Sequence, residues 1–143
     1  MNDSPFPQPA LTFQMLGAVH ELEARLESAL GGVGLSLGKL NVLSKLVAAG
    51  EPLPLGALAE RCSCVKSNIT QLVDRLETDR LVERVSDPND RRSVRAALTP
   101  EGHARHAEAV RLVAEAESQV FGGLTEADRA MLAQLVSRLG TPG

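Results

Sequence analysis

A chain of 143 residues is the length of one ordinary domain, and 43% hydrophobic with 23% charged residues suits a soluble protein with a real core. Three Phe, no Tyr and no Trp leave that core to Leu, Val and Ala, and a formal charge of −3 argues, taken whole, against nucleic acid. The distribution reverses that argument: residues 61–95 carry eight Lys and Arg against six Asp and Glu while both flanks are net acidic, and the field at a surface counts for more than the total.

Residues 1–9 are polar and Pro-rich, with no basic run leading into an apolar one, so no secretory signal is expected. No stretch approaches the ~18 apolar residues of a membrane span. A cytoplasmic protein with no membrane partner is the expectation.

After the Pro5-Phe6-Pro7-Gln8-Pro9 arm, a helix is expected over residues 11–30. Met15, Val19, Leu22, Leu26 and Ala29 recur there at three- and four-residue steps until Gly31-Gly32 ends the run. Glu21, Glu23, Arg25 and Glu27 take its other faces. Ser36 is a good N-cap for a second helix carrying Leu40, Leu43, Leu46 and Val47 up to Gly50. Pro52 and Pro54 mark a short connection, with room for a brief strand at 53–55. A short helix over 55–61 follows, then a tight turn at Cys62-Ser63-Cys64.

The next helix, expected over 66–80, divides its faces. Ile69, Leu72, Val73 and Leu76 follow the i, i+3, i+4, i+7 rule and belong to the core, while Lys66, Ser67, Thr70, Gln71 and Asp74 lie opposite. Residues 81–85 read as a strand, 86–90 are dense in turn formers, and Val94, Ala96 and Leu98 alternate with Arg95, Ala97 and Thr99 in a second strand. Together they make a hairpin with Arg91 and Arg92 near its tip. Thr99-Pro100-Glu101 starts a helix that runs to about Phe121. Thr125-Glu126-Ala127-Asp128 is a capping box for the last one, which shows Met131, Leu132, Leu135, Val136 and Leu139 on one side.

The order is helix, helix, helix–turn–helix, two-stranded wing, helix, helix. A short helix, a three-residue turn and a longer helix with a polar outer face suit the major groove of DNA, where Asn and Gln read adenine bidentately. Asn68 and Gln71 are thus candidates for base contacts, Lys66 and Arg75 for phosphate or guanine. The bland alternative is a helical hairpin with a solvated face. A thin ribbon tipped by guanidinium groups suits the minor groove. Asp90 can hold one arginine there by a charge-assisted pair. An exposed charged turn is the alternative, but the two features in consecutive segments are more specific than either.

Leu58-Ala59-Glu60-Arg61, then Ser67-Asn68-Ile69-Thr70-Gln71-Leu72-Val73-Asp74-Arg75-Leu76-Glu77, then Asp90-Arg91-Arg92-Ser93, and finally Leu98-Thr99-Pro100-Glu101-Gly102, resemble the MarR family of bacterial regulators, and the likeness runs over residues 11–139. The resemblance implies a mainly α protein: a winged helix-turn-helix with a two-stranded wing and long terminal helices forming a dimerisation bundle. Residues 1–143 would form a single domain, with dimerisation helices at 10–32 and 100–140 and the DNA-binding region at 36–99. It implies a homodimer that binds double-stranded DNA at a pseudo-palindromic operator and represses transcription. Residues 67–75 would read the major groove and Arg92 would enter the minor groove. The expected DNA-contacting set is Lys66, Ser67, Asn68, Thr70, Gln71, Arg75, Asp90, Arg91, Arg92 and Arg95. Members commonly release DNA when a small aromatic acid, a metal or an oxidant acts on them, so a small-molecule effector is an expected partner. The alternative is a winged-helix protein-interaction module that does not bind DNA.

One position departs from the family. Val65 stands where such proteins usually carry a Ser as N-cap of the recognition helix, so that end is expected to be capped by Ser63 or Ser67, or to fray.

The remaining candidates are weaker. A disulfide between Cys62 and Cys64 would be strained, and both read as small apolar residues facing the core at the turn; a redox sensor, with Arg61 and Lys66 lowering a thiol pKa, is the less favoured reading. His103 and His106 lie three apart on a helix, but with no visible set of four ligands they read as solvated or core histidines. There is no Gly-rich phosphate loop, no nucleophile with a recognisable base and no carboxylate pair, so neither an enzyme nor a cofactor is expected.

Overall fold

The computed structural model describes residues 10–140, with Lys66 as backbone only. The Pro-rich arm at residues 5–9 lies outside the described residues. Helix α1 (Ala10–Gly31) is followed by α2 (Leu37–Ala49), the short strand β1 (Leu53–Pro54), α3 (Leu55–Arg61) and α4 (Lys66–Thr78). Strands β2 (Val82–Asp87) and β3 (Asp90–Leu98) form the wing, and α5 (Pro100–Val120) and α6 (Glu126–Arg138) complete the chain.

The helix ends form where the sequence supplies caps. The Ser36 hydroxyl accepts the Lys39 N–H at 3.2 Å, and Gly50 closes α2 in the left-handed region at φ 70°. A second cap on α2 comes from α1: Glu27 Oε1 accepts the Leu37 N–H at 2.8 Å, so a residue expected on a solvent face ties the two helices together. Thr99 caps α5 with Pro100 in its first turn, and Thr125 and Asp128 exchange the reciprocal bonds of a capping box at 3.1 and 3.0 Å.

One aliphatic core binds α2, α3, α4 and the sheet. Leu30, Val42, Leu43, Leu58, Ile69, Val73, Leu76, Leu81, Val82 and Ala96 are all fully or almost fully buried. Where α5 crosses α1 the buried residues are Ala109 and Ala116, whose small side chains let the two helices approach closely.

The two-stranded wing forms as expected, and the brief strand for which residues 53–55 leave room pairs with it. β1 thus gives the sheet three antiparallel strands in the order β1-β3-β2, with Leu53 opposite Ala96. The β2–β3 register runs from Val82↔Leu98 to Ser86↔Val94 and then jumps to Asp87↔Asp90, leaving Arg91, Arg92 and Ser93 as a bulge in β3. The strands therefore run closer to the tip than the alternation predicts, and Arg91 and Arg92, near the tip as expected, lie within β3.

Candidate nucleic-acid interface

The second helix of the helix-turn-helix is oriented by its inner face. Ile69, Val73 and Leu76 are completely buried and Leu72 half-buried, which fixes the roll of α4. Ser67, Asn68, Gln71 and Arg75 are consequently exposed, and Thr70 is half-buried at the edge of that face. Lys66 opens the helix; its side chain lies outside the described residues.

The turn before α4 closes without glycine. The Ser63 N–H bonds Glu60 O at 3.1 Å and the Cys64 N–H bonds Ala59 O at 3.0 Å, the double closure of a Schellman motif, with Ser63 left-handed at φ 53°. The far end of α4 repeats the device. Arg80 is left-handed at φ 63°, its N–H bonds Glu77 O at 2.9 Å and the Leu81 N–H bonds Leu76 O at 2.9 Å. This ends α4 at Thr78, two residues before the expected boundary.

Among the described residues no side chain caps the start of α4. Val65 holds the N-cap position in extended backbone with no cap bond, and neither Ser63 nor Ser67 fills the role. Apolar packing replaces it: Cys64, one residue before the cap, packs on the core cluster that contains Ile69, four residues after it. Cys62 is buried, which together with the neighbouring Cys64 pushes its thiol pKa up against the lowering effect of Lys45. Both cysteines thus do the apolar work expected of them.

Four acidic groups near this face pair with cations of the same chain. The Arg84 guanidinium reaches from β2 to α4, bonding the Asp74 carboxylate through Nη2 and Glu77 through Nη1 at 2.9 Å. On the wing, Arg95 Nη2 pairs with Asp87 at 2.8 Å, a mostly enclosed pair whose Arg95 Nε is buried. The Asn89 N–H and then Arg95 hold the Asp87 carboxyl below the usual carboxylate range. Lys39 takes Asp79 at 3.0 Å.

Asp90 works differently from the expected ion pair. Its Oδ1 accepts the Arg92 backbone N–H at 3.0 Å, while Asp87 accepts the Asn89 N–H at 2.9 Å, so two successive Asx turns shape the tip. The wing's own charge pair is Asp87–Arg95, which nothing in the linear sequence identifies. Arg61, Arg75, Arg80, Arg91 and Arg92 remain exposed, and none of them forms an ion pair among the described residues.

Away from this face, His106 Nε2 lies 3.1 Å from Ser44 Oγ, joining α5 to α2. Every residue from Gly122 to Gly140 is exposed, including Met131, Leu132, Leu135 and Val136 of α6 and Leu139 at its C-cap. Leu11, Met15, Leu16 and Val19 of α1 are exposed with them.

The MarR family model matches residues 35–94, the helix-turn-helix and most of the wing. The HTH-type transcriptional regulator YsmB of Bacillus subtilis is 33% identical over 87 residues, covering 61% of this chain and 60% of that protein's length. YkoM of the same organism, also an HTH-type transcriptional regulator, is 30% identical over 107 residues, covering 75% of this chain and 69% of that protein. A mutant of MarR from E. coli, solved in complex with operator DNA, superposes with a TM-score of 0.83 at 23% identity, over 92% of this chain and 94% of that one. Fold, matched segment and relatives agree: the chain belongs to the MarR family.

Proposed function

We propose that the protein is a sequence-specific DNA-binding transcriptional regulator, acting as a homodimer on a pseudo-palindromic operator as a repressor that a small-molecule effector releases. The observation that carries this reading is the charge arrangement of the winged lobe. Asp74 and Glu77 share Arg84, Asp79 pairs with Lys39 and Asp87 with Arg95, while Arg75, Arg91 and Arg92 stand exposed on α4 and the wing. Unpaired guanidinium groups flanking a protruding helix form an electrostatic footprint for phosphates.

In this reading Ser67, Asn68, Thr70 and Gln71 face base edges in the major groove, and Lys66, Arg75 and Arg91 meet the backbone. Arg92 enters the minor groove, and Asp90 and Arg95 hold the wing's shape. The homodimer follows from the exposed apolar faces of α1 and α6, the segments 10–32 and 100–140 being the dimerisation part. Effector release rests on family membership, a small aromatic acid being the class to try first. The similar fold of MarR, which binds operator DNA, supports the reading as a whole.

Selection of duplexes from a random library by gel shift tests it. Recovery of a two-fold-related consensus with half-sites about one helical turn apart is expected. Binding that stays nonspecific, or no retention even at low salt, would leave the protein-interaction alternative standing.

A further inference from the structure

Exposed large apolar side chains are not spread evenly over the described residues. They lie on α1, α5, α6 with its C-cap Leu139, and the loop at Leu124, with two exceptions in the winged lobe, Val65 and Val94. Val65 is 63% exposed and holds the N-cap of the recognition helix, where a hydroxyl or amide would satisfy free N–H groups. The helix forgoes that cap, and the Cys64 side chain, not Val65, joins the core cluster below. A position that breaks the local rule without gaining burial is a place to look for function.

We propose that Val65 is a specificity-determining residue whose isopropyl group packs against the 5-methyl of a thymine in the major groove; the assignment rests on the DNA-binding reading above. Three arguments carry it. The N-terminal residues of a recognition helix are those that approach base edges, and an apolar side chain reads sequence there only through the thymine methyl. Val is β-branched with a stiff χ1, so it loses little freedom on entering the groove. The Asn68 N–H bonds the Val65 carbonyl at 3.1 Å, placing Val65 and Asn68 one turn apart at the start of the helix. An A·T step can then be read from both sides, the adenine edge by the Asn68 amide and the neighbouring thymine methyl by Val65.

The experiment uses the full chain and the duplexes it selects from a random library. Each thymine is replaced singly by uracil, which removes only the methyl, and affinities are measured for the wild type and for Val65→Ser. One thymine per half-site should lower wild-type affinity about fourfold when replaced, the worth of one buried methyl, and Val65→Ser should not distinguish the two bases there. Ser can cap the helix, so Val65→Ser should melt no lower than the wild type, separating a recognition effect from unfolding. Uracil tolerated at every position, or the same loss in both proteins, overturns the assignment while leaving DNA binding intact. Failure to select any duplex sinks the DNA-binding reading and the assignment with it.

Discussion

Arg84 and Glu77 are joined twice: the guanidinium Nη1 donates to Oε1 at 2.9 Å, and the Arg84 backbone N–H donates to Oε2 at 3.1 Å. With the bond to Asp74, this makes Arg84 the bracket between recognition helix and wing. Exposed ion pairs contribute little singly, but here three bonds converge on one residue. Arg84→Met should destabilise by about 1 kcal/mol in urea titrations and weaken DNA binding tenfold or more. The larger second effect is expected because the wing loses its register to α4, and two carboxylates become free to repel phosphates. Unaltered DNA affinity would show that the bracket serves stability alone.

Gly102 and Leu81 set the opposite corner. A Cβ at Gly102 would lie 2.1 Å from the Leu81 carbonyl oxygen and 3.0 Å from Leu98 Cδ2. That carbonyl is held in place, since it accepts both the Thr99 N–H and the Thr99 hydroxyl at 3.1 Å. Gly102→Ala should therefore cost about 2–3 kcal/mol despite the higher helix propensity of Ala. Gly56→Ala is the control: nothing lies within 4 Å of its Cβ, and stability should hold or rise. Equal stability of both variants would refute the clash.

The helix caps, the core face of α4 and the polar face opposite it were legible because each follows from local chemistry, a hydroxyl before a helix or an apolar residue every third or fourth position. The bracket was not. Asp74, Glu77 and Arg84 read as unrelated surface charges until β2 folds back beside α4, and nothing in their spacing announces that meeting. The same holds for Asp87 and Arg95, eight residues apart but side by side across the wing. The third strand was half legible: two prolines mark a connection there, and only Leu53 and Pro54 pair with β3, opposite Ala96 and Arg95. Val65 was legible as an anomaly, since it lacks the hydroxyl a cap needs, but its exposure became visible only once Cys64 was seen to take the apolar role.

His106 links α5 to α2 through Ser44, and burial, aided by His103, holds its pKa below the usual 6.5. The unfolded chain then takes up the proton more readily than the folded one. Stability should fall as pH drops below about 6.5 and level off once pH passes the depressed native value. In His106→Gln, which keeps a polar partner for Ser44, that part of the decline should vanish. Parallel pH profiles for the two proteins would place the titration elsewhere.

Leu135 of α6 and Leu11 and Met15 of α1 line one open apolar groove, with Leu132 and Leu139 beside them. A second copy is the natural cover, because obligate interfaces of ~2,000 Å² or more are built from such faces. Leu135→Asp should abolish dimers in sedimentation and lower the unfolding midpoint, whereas Glu83→Asp, a conservative exchange on the exposed edge of the wing, should leave both unchanged. A wild type that sediments as a folded monomer at micromolar concentration would refute the dimer.

Arg92 and Gln71 should divide the work of recognition. Arg92 lies in the bulge of β3, its backbone fixed by Asp90 and its side chain without an ion pair among the described residues. A guanidinium in the minor groove distinguishes A·T-rich from G·C-rich sequence but little more. Gln71 is exposed at mid-helix, one turn beyond Asn68, where an amide can pair bidentately with adenine. Arg92→Ala should thus weaken binding to all duplexes and shallow the salt dependence by a slope of roughly 1 per subunit, as expected for one phosphate neutralised. Gln71→Ala should leave nonspecific binding unchanged and relax preference at one position per half-site, costing ~1–3 kcal/mol for each bidentate pair removed. Two-fold symmetry doubles both effects in the dimer, which makes them separable in a salt series on selected and scrambled duplexes. If Arg92→Ala shifts sequence preference more than Gln71→Ala does, the roles are reversed; if neither variant changes affinity, the exposed face of α4 and the wing are not where DNA binds.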